Sequence, residues 1–89
     1  MKANMYTVYD SKTQAYLQPF QARTRGEAIR SFTEAVNDQK TMFYKYPSDY
    51  TLFELGEWDD EDGKITMLEA KTNIGLATHF KRVEDTEND

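Results

Sequence analysis

Residues 24–36 read Thr-Arg-Gly-Glu-Ala-Ile-Arg-Ser-Phe-Thr-Glu-Ala-Val, and this stretch decides the fold. Thr24 and Glu27 match a capping box, in which the threonine hydroxyl accepts a hydrogen bond from a first-turn amide and the glutamate reaches back to the cap amide. Asn37 and Asp38 follow as a stop signal. The pattern predicts one amphipathic helix. Its apolar residues recur with helical period at Ala28, Ile29, Phe32, Ala35 and Val36.

The residues on both sides of this helix have the composition of strands. Residues 5–9 are rich in aromatic and β-branched side chains and end at the turn composition of residues 10–12. Residues 15–21 are expected to be the hairpin partner, although Pro19 cannot donate a ladder hydrogen bond and so predicts a sheet edge or a bulge. Residues 50–58 and 64–68, joined by an acidic turn that ends in Gly63, predict a second hairpin.

Together these elements predict an α+β fold of two layers. The order ββαββ implies an antiparallel sheet of about four strands with the amphipathic helix packed on one face. Residues 39–49 have no clean period and are expected to form a long ordered loop, whereas residues 73–82 could form a short helix or a partner-binding arm. We expect a single domain over residues 1–83 and an acidic disordered tail over residues 84–89.

The composition excludes several kinds of chemistry. The chain of 89 residues has no cysteine and a single histidine, His79, which excludes thiolate or histidine-based metal sites and cysteine nucleophiles. The sequence contains neither a glycine-rich phosphate loop nor a nucleophile with its base. We therefore expect a non-enzymatic protein without cofactor or metal. No apolar run is long enough to span a membrane and no signal peptide is recognised, so we expect a soluble intracellular protein with no membrane partner.

Charge is distributed unevenly along the chain. The formal net charge of −5 argues against a protein that coats nucleic acid by neutralising phosphates. Residues 1–53 nevertheless carry seven bases against five acids, whereas residues 54–89 carry four bases against eleven acids. The acids concentrate in residues 57–62 and 84–89. The terminal segment is either a solvating end or a competitor that covers a basic face and excludes a polyanion.

Aromatic residues make up 13% of the chain, so several of them are expected to be exposed. In residues 40–46 they alternate with cations, a composition typical of single-stranded nucleic acid binding, in which rings stack on bases and ammonium groups meet phosphates. The first hairpin and the arginines after it would extend this surface. Ordinary core and cross-strand packing is the alternative. The candidate nucleic-acid-binding residues are Tyr6, Tyr16, Arg23, Arg25, Lys40, Phe43, Tyr44, Lys45 and Tyr46.

Several segments also resemble one known family. They are residues 6–12, 17–20, 27–32, 35–38 and 47–57, of which the last reads Pro-Ser-Asp-Tyr-Thr-Leu-Phe-Glu-Leu-Gly-Glu. Across these segments the chain resembles the small nonstructural protein of gokushovirus-type microviruses, which are phages with circular single-stranded DNA genomes. The resemblance implies a role in genome replication inside the infected cell, in the host cytoplasm, and supplies no catalytic residue. The acidic tail departs from the family.

These observations lead to two functional hypotheses. The first is a non-enzymatic replication accessory that binds single-stranded DNA, as a homodimer whose paired faces raise avidity. The second is a protein-interaction module that redirects a viral replication protein or a host factor through its acidic turn and tail. Binding of a poly-dT strand in preference to its duplex counterpart would favour the first hypothesis.

Overall fold

The computed structural model describes residues 1–82, which form five strands, one long helix and a second, short one. The tail predicted at residues 84–89 lies outside the described residues. Short 3-10 helices at Pro47–Asp49 and Ala77–Phe80 precede the fourth strand and follow the fifth. In chain order the main elements are β1 (Lys2–Asp10), β2 (Ala15–Tyr16), β3 (Phe20–Ala22), α1 (Arg25–Val36), α2 (Met42–Lys45), β4 (Tyr50–Asp59) and β5 (Lys64–Leu76).

The strands form one antiparallel sheet in the order β2-β1-β4-β5, and β3 also pairs with β1. The α+β prediction is confirmed, but the ββαββ order differs from the structure because the expected second strand is split in two. Pro19 has no N–H for the ladder, and β2 and β3 lie on either side of it. Between them the chain is held by the Thr7 hydroxyl, which donates to the Leu17 carbonyl at 2.6 Å.

Helix α1 spans the residues that the sequence pattern predicts. The Thr24 hydroxyl accepts a hydrogen bond from the Glu27 N–H at 3.1 Å. The Glu27 carboxylate reaches one residue further back than the capping box predicts and accepts from the Arg23 N–H at 3.2 Å. At the other end, Asn37 caps the helix, and its side chain donates to the Phe80 carbonyl at 3.0 Å. The end of α1 thereby anchors the segment that follows β5.

The core lies between one face of the sheet and the helices. Because alternate residues of a strand point to opposite faces, Tyr6 and Val8 of β1 share one face, together with Leu52 of β4. We call this the covered face and the opposite one the open face. Phe43 of α2 and Phe80 also pack against this core, so the helices among residues 1–82 lie on the covered face. The remaining buried hydrophobic residues of the core are Ala28, Phe32, Val36, Tyr50 and Ala77.

The β4–β5 hairpin extends beyond the core, and residues 60–71 are all exposed. Its pairing is irregular at two places: Ile74 is an extra residue in β5, and residues 68–71 of β5 stand opposite the single residue Leu55 of β4. Leu55 is also an extra residue in the pairing of β4 with β1. Gly56 permits the close approach of the two strands here, because a Cβ at this position would collide with the carbonyl oxygen of Thr66. With this hairpin the described residues span 53 × 27 × 20 Å.

Two segments differ from the sequence-based expectation. Residues 39–49 are ordered, as expected, but they are not a loop throughout: they contain α2, capped by the Thr41 hydroxyl, which accepts from the Tyr44 N–H, and the 3-10 helix at Pro47–Asp49. Residues 73–76 complete β5, whereas Ala77–Phe80 form a short 3-10 helix that packs against α1, so the short-helix alternative holds for only four residues of the segment. Long-range packing selects both structures, which is why local periodicity does not reveal them. The helices among residues 1–82 are too short or too polar to cross a membrane.

Candidate nucleic-acid interface

The residues predicted to bind nucleic acid do not share one surface, and Tyr6 is the clearest exception. It is completely buried, its ring centroid lies 5.8 Å from that of Phe20, and its hydroxyl accepts a hydrogen bond from the Asn4 side chain at 3.3 Å. Its position on the covered face follows from the two-residue period of β1. Tyr6 therefore has no surface to offer a base, which argues against its predicted stacking on DNA.

Phe43 packs between the helical layer and the sheet. Its ring meets the ring of Tyr50 edge-on at a centroid distance of 4.7 Å and that of Phe32 at 5.6 Å. Edge-to-face contacts of this kind stabilise a core beyond the area that they bury. For Phe43 the structure thus supports core packing, the alternative that the sequence left open, and we remove this residue from the interface.

The two arginines that precede and begin α1 are engaged with carboxylates. Arg25 donates twice to one carboxylate oxygen of Glu54, at 2.7 and 3.1 Å, and this contact raises the pKa of Arg25 further above its usual value. Arg23 lies 3.7 Å from the carboxylate of Glu27, the same group that caps the helix start. Both arginines are therefore held by acidic neighbours, and a phosphate would have to compete with these carboxylates.

Tyr46 is 52% exposed, but its surroundings are acidic. It lines a shallow groove together with two carboxylates, Asp10 and Asp49, and one cation, Lys12, so the balance of charge in the groove is negative. Both carboxylates also lie near Tyr50. Burial, followed by the charges of Asp10 and Asp49, raises the pKa of the Tyr50 hydroxyl. Because carboxylates repel phosphate, this groove is a poor place for a DNA backbone despite its exposed ring.

Tyr44 belongs to a different, basic surface. The ammonium group of Lys81 lies 3.5 Å from the centroid of its ring, a cation–π contact, and also donates to the Tyr44 carbonyl at 3.4 Å. Two further cations lie close to Tyr44 in the sequence and are exposed: Lys40 in the turn before α2 and Lys45 in α2. The groove here has a volume of about 390 Å³, and we call it the basic groove. Its lining residues are Asn37, Gln39, Tyr44, Lys81 and Arg82.

Tyr16 belongs to an aromatic cluster on the open face of the sheet. Its ring centroid lies 4.7 Å from that of Tyr9, its partner in the β1–β2 ladder, and 6.1 Å from that of Phe53 on β4. The ammonium group of Lys71 lies 5.3 Å from the centre of the Tyr16 ring. We call these four residues the open-face patch. Tyr16 is 48% exposed, and Lys71 is exposed as well, so the patch faces solvent.

The open-face patch has the chemistry that unpaired bases need. Aromatic rings on a sheet surface stack on bases irrespective of sequence, and a nearby ammonium group meets the phosphate that links them. The cross-strand register places polar, uncharged Thr51 and Asn73 beside these rings on the same face. Unlike Tyr46, the patch is thus flanked by neutral side chains along its strands.

Sequence reasoning found Tyr16 but missed Tyr9, Phe53 and Lys71. The period of two in β1 would have separated Tyr6 from Tyr9, since residues three apart in a strand point to opposite faces. The contact with Phe53 depends on the register between β1 and β4, which shifts at Leu55. The position of Lys71 depends on the irregular residues 68–71, for which the sequence has no local signal.

The described residues offer no obvious metal centre: no three acidic, histidine or cysteine side chains within 1–82 lie close enough to hold an ion. The comparisons with known proteins place the chain in a phage family. Residues 3–80 match the family described as Phage ORF5 protein, so the chain belongs to that family. Neither a curated protein nor a solved structure matches it.

Proposed function

We propose that this member of the phage ORF5 family binds single-stranded DNA on the open face of its sheet, as a non-enzymatic accessory to phage genome replication. The observation that carries the proposal is the open-face patch, in which Tyr9, Tyr16 and Phe53 converge beside Lys71 on a face that the helices leave uncovered. Such rings need no base-specific hydrogen bond, which suits a protein that meets any sequence of a genome.

The interface differs from the one that the sequence predicts, because it relies on rings more than on charge. Stacking supplies about 1–3 kcal/mol per base. Because Lys71 is the one cation over these rings within residues 1–82, the plot of log affinity against log salt concentration should have a slope near −0.7, the value for a single phosphate contact on a single strand. Binding in the basic groove, which Lys81 and Arg82 line, would give a slope about twice as steep.

The placement in phage replication rests on the family and on the sequence resemblance. The assignment to the small nonstructural protein of gokushovirus-type microviruses, acting in the host cytoplasm, is part of the proposal. Its most specific motif, residues 47–57, forms the 3-10 helix before β4 and most of β4, including buried Tyr50 and Leu52 and the close crossing at Gly56. This motif therefore preserves the fold that presents the open face.

The test is a titration of a fluorescent poly-dT strand and of its duplex counterpart at two ionic strengths. We expect preference for the single strand, and a five- to 150-fold loss of affinity in Tyr16→Ala, the equivalent of about 1–3 kcal/mol. Tyr46→Ala is the matched control, since Tyr46 is equally exposed but flanked by carboxylates. No binding of wild-type protein at low salt, or an equal loss in both variants, would contradict the proposal.

A protein-interaction module is the second candidate, because the acidic turn forms the exposed tip of the β4–β5 hairpin. The side chains of Asp60 and Glu61 are 56% and 81% exposed. In this case the protein would bind a basic peptide but not poly-dT. The double variant Asp60→Asn/Glu61→Gln would lose its affinity for the peptide. The same pair of substitutions should leave or improve DNA binding if the open-face patch is the interface.

A further inference from the structure

The outer edge of β5 is a second surface without a partner. β5 is the last strand in the order β2-β1-β4-β5, and no other strand among residues 1–82 pairs with its outer side. Backbone N–H and C=O groups along such an edge are available for pairing with another chain. Natural proteins usually protect long edges with charge, proline or a covering element, and the first half of β5 has none of these between Lys64 and Glu69.

The same stretch exposes apolar side chains. Ile65, Met67 and Leu68 are 53%, 57% and 40% exposed. Ile65 and Met67 are two positions apart and therefore point to one side of the strand. Exposed apolar side chains on an unpaired strand edge mark an interaction site.

We propose that β5 pairs, edge to edge and antiparallel, with β5 of a second copy of this chain. A two-fold axis that relates two β5 strands in this way is perpendicular to the sheet. Each residue therefore lies opposite a residue whose side chain points to the same face of the sheet. Centring the pair on Thr66 places Ile65 of each chain opposite Met67 of the other. Centring it one residue either way places Met67 opposite Gly63, or Ile65 opposite Glu69. The register on Thr66 is the one that brings the exposed apolar side chains together.

The pairing is short, so its strength is limited. Five residues from each chain, 64–68, bury far less area than stable dimer interfaces, which places this contact among weak, concentration-dependent interfaces. The two-fold axis leaves the open faces of both copies on the same side of one continuous sheet. A single DNA strand could then contact both open-face patches, which would raise avidity. The pairing itself does not depend on DNA binding.

Analytical ultracentrifugation without DNA tests the pairing. We expect a monomer–dimer equilibrium in the wild-type protein, and at least a tenfold higher dissociation constant in Ile65→Lys and in Met67→Lys, since a charge facing the partner opposes edge pairing. Met42→Lys is the matched control, because Met42 is 54% exposed on α2 and adds the same charge. A wild-type protein that stays monomeric up to millimolar concentration, or an equal change in all three variants, would overturn the proposal.

Cross-linking tests the register independently of stability. The native chain has no cysteine, so Thr66→Cys introduces a single thiol at the proposed two-fold axis, where the two Cβ atoms lie close enough for a disulfide after a small adjustment. We expect mild oxidation to give a covalent dimer at least tenfold faster in Thr66→Cys than in Met42→Cys. Equal rates would overturn the register. Hydrogen exchange at the β5 amides gives a further check. If these amides are protected to the same degree at all protein concentrations, the chain covers its own edge, which also contradicts the pairing.

Discussion

The two faces of the sheet are made by the same strands, yet they have opposite roles. Tyr6 and Tyr9 are three residues apart in β1, but Tyr6 is buried under the helical layer, whereas half-buried Tyr9 contacts the tilted ring of Tyr16 on the open face. Leu52 and Phe53 of β4 divide in the same way. The difference shows that strand parity, rather than residue type, decides whether an aromatic residue stabilises this fold or is available to a ligand.

The largest effect is expected on the covered face. Leu52→Ala should lower the free energy of unfolding by about 2–5 kcal/mol, because Leu52 is completely buried and its truncation leaves a cavity. Urea unfolding followed by circular dichroism measures this change. A loss below about 1 kcal/mol would mean that the covered face is not the main core of the protein.

Phe53 neighbours Leu52 in β4 but lies on the open face, so its truncation should affect DNA binding more than stability. Phe53→Ala should weaken poly-dT binding by about 1–3 kcal/mol through the loss of a stacking ring. Its cost to folding should be clearly smaller than that of Leu52→Ala, since Phe53 is half-buried. Affinity and urea stability measured on the same two variants separate the faces. If Phe53→Ala affected only stability, the open-face cluster would be ordinary cross-strand packing.

A smaller loss of stability is expected at Arg25, at the edge of the covered face. Arg25→Gln removes the contact with Glu54 and should lower stability by about 1 kcal/mol, the upper end of the range for surface ion pairs, because the Glu54 side chain is only 13% exposed. Because Arg25 is engaged with Glu54 rather than with DNA, poly-dT affinity should stay within twofold of wild type. A fall in affinity together with a shallower salt slope would instead return Arg25 to the interface.

The smallest expected effect is a pH dependence on the covered face. Burial and, after it, the nearby carboxylates of Asp10 and Asp49 raise the folded-state pKa of Tyr50 above the usual tyrosine value of 10.0. The folded state therefore favours the neutral phenol, and the contribution is fully present below pH 10 and lost as the pH rises through the folded-state pKa. The urea midpoint should fall more steeply above pH 10 in wild type than in Tyr50→Phe. Parallel curves would show that Tyr50 does not titrate differently on folding.

The sequence predicts the parts of this structure that depend on local chemistry. The capping residue Thr24 and the apolar period of residues 28–36 are local, and α1 forms where they indicate. The grouping of Tyr9 with Phe53 is not local, because it depends on a register between strands more than forty residues apart along the chain that shifts at Leu55. Residues 40–46 illustrate the same limit: their composition suggests one binding surface, but packing assigns Phe43 to the core and separates Tyr44 from Tyr46.

Nuclear magnetic resonance shows whether the open face of the sheet binds unpaired bases. A short oligo-dT strand is titrated into ¹⁵N-labelled protein, and the shifts of the amide signals are mapped onto the structure. We predict that the largest shifts cluster at Tyr9, Tyr16 and Phe53 and that they saturate together. Shifts centred on Tyr44 and Lys81 in the basic groove, with the open face unchanged, would contradict the account.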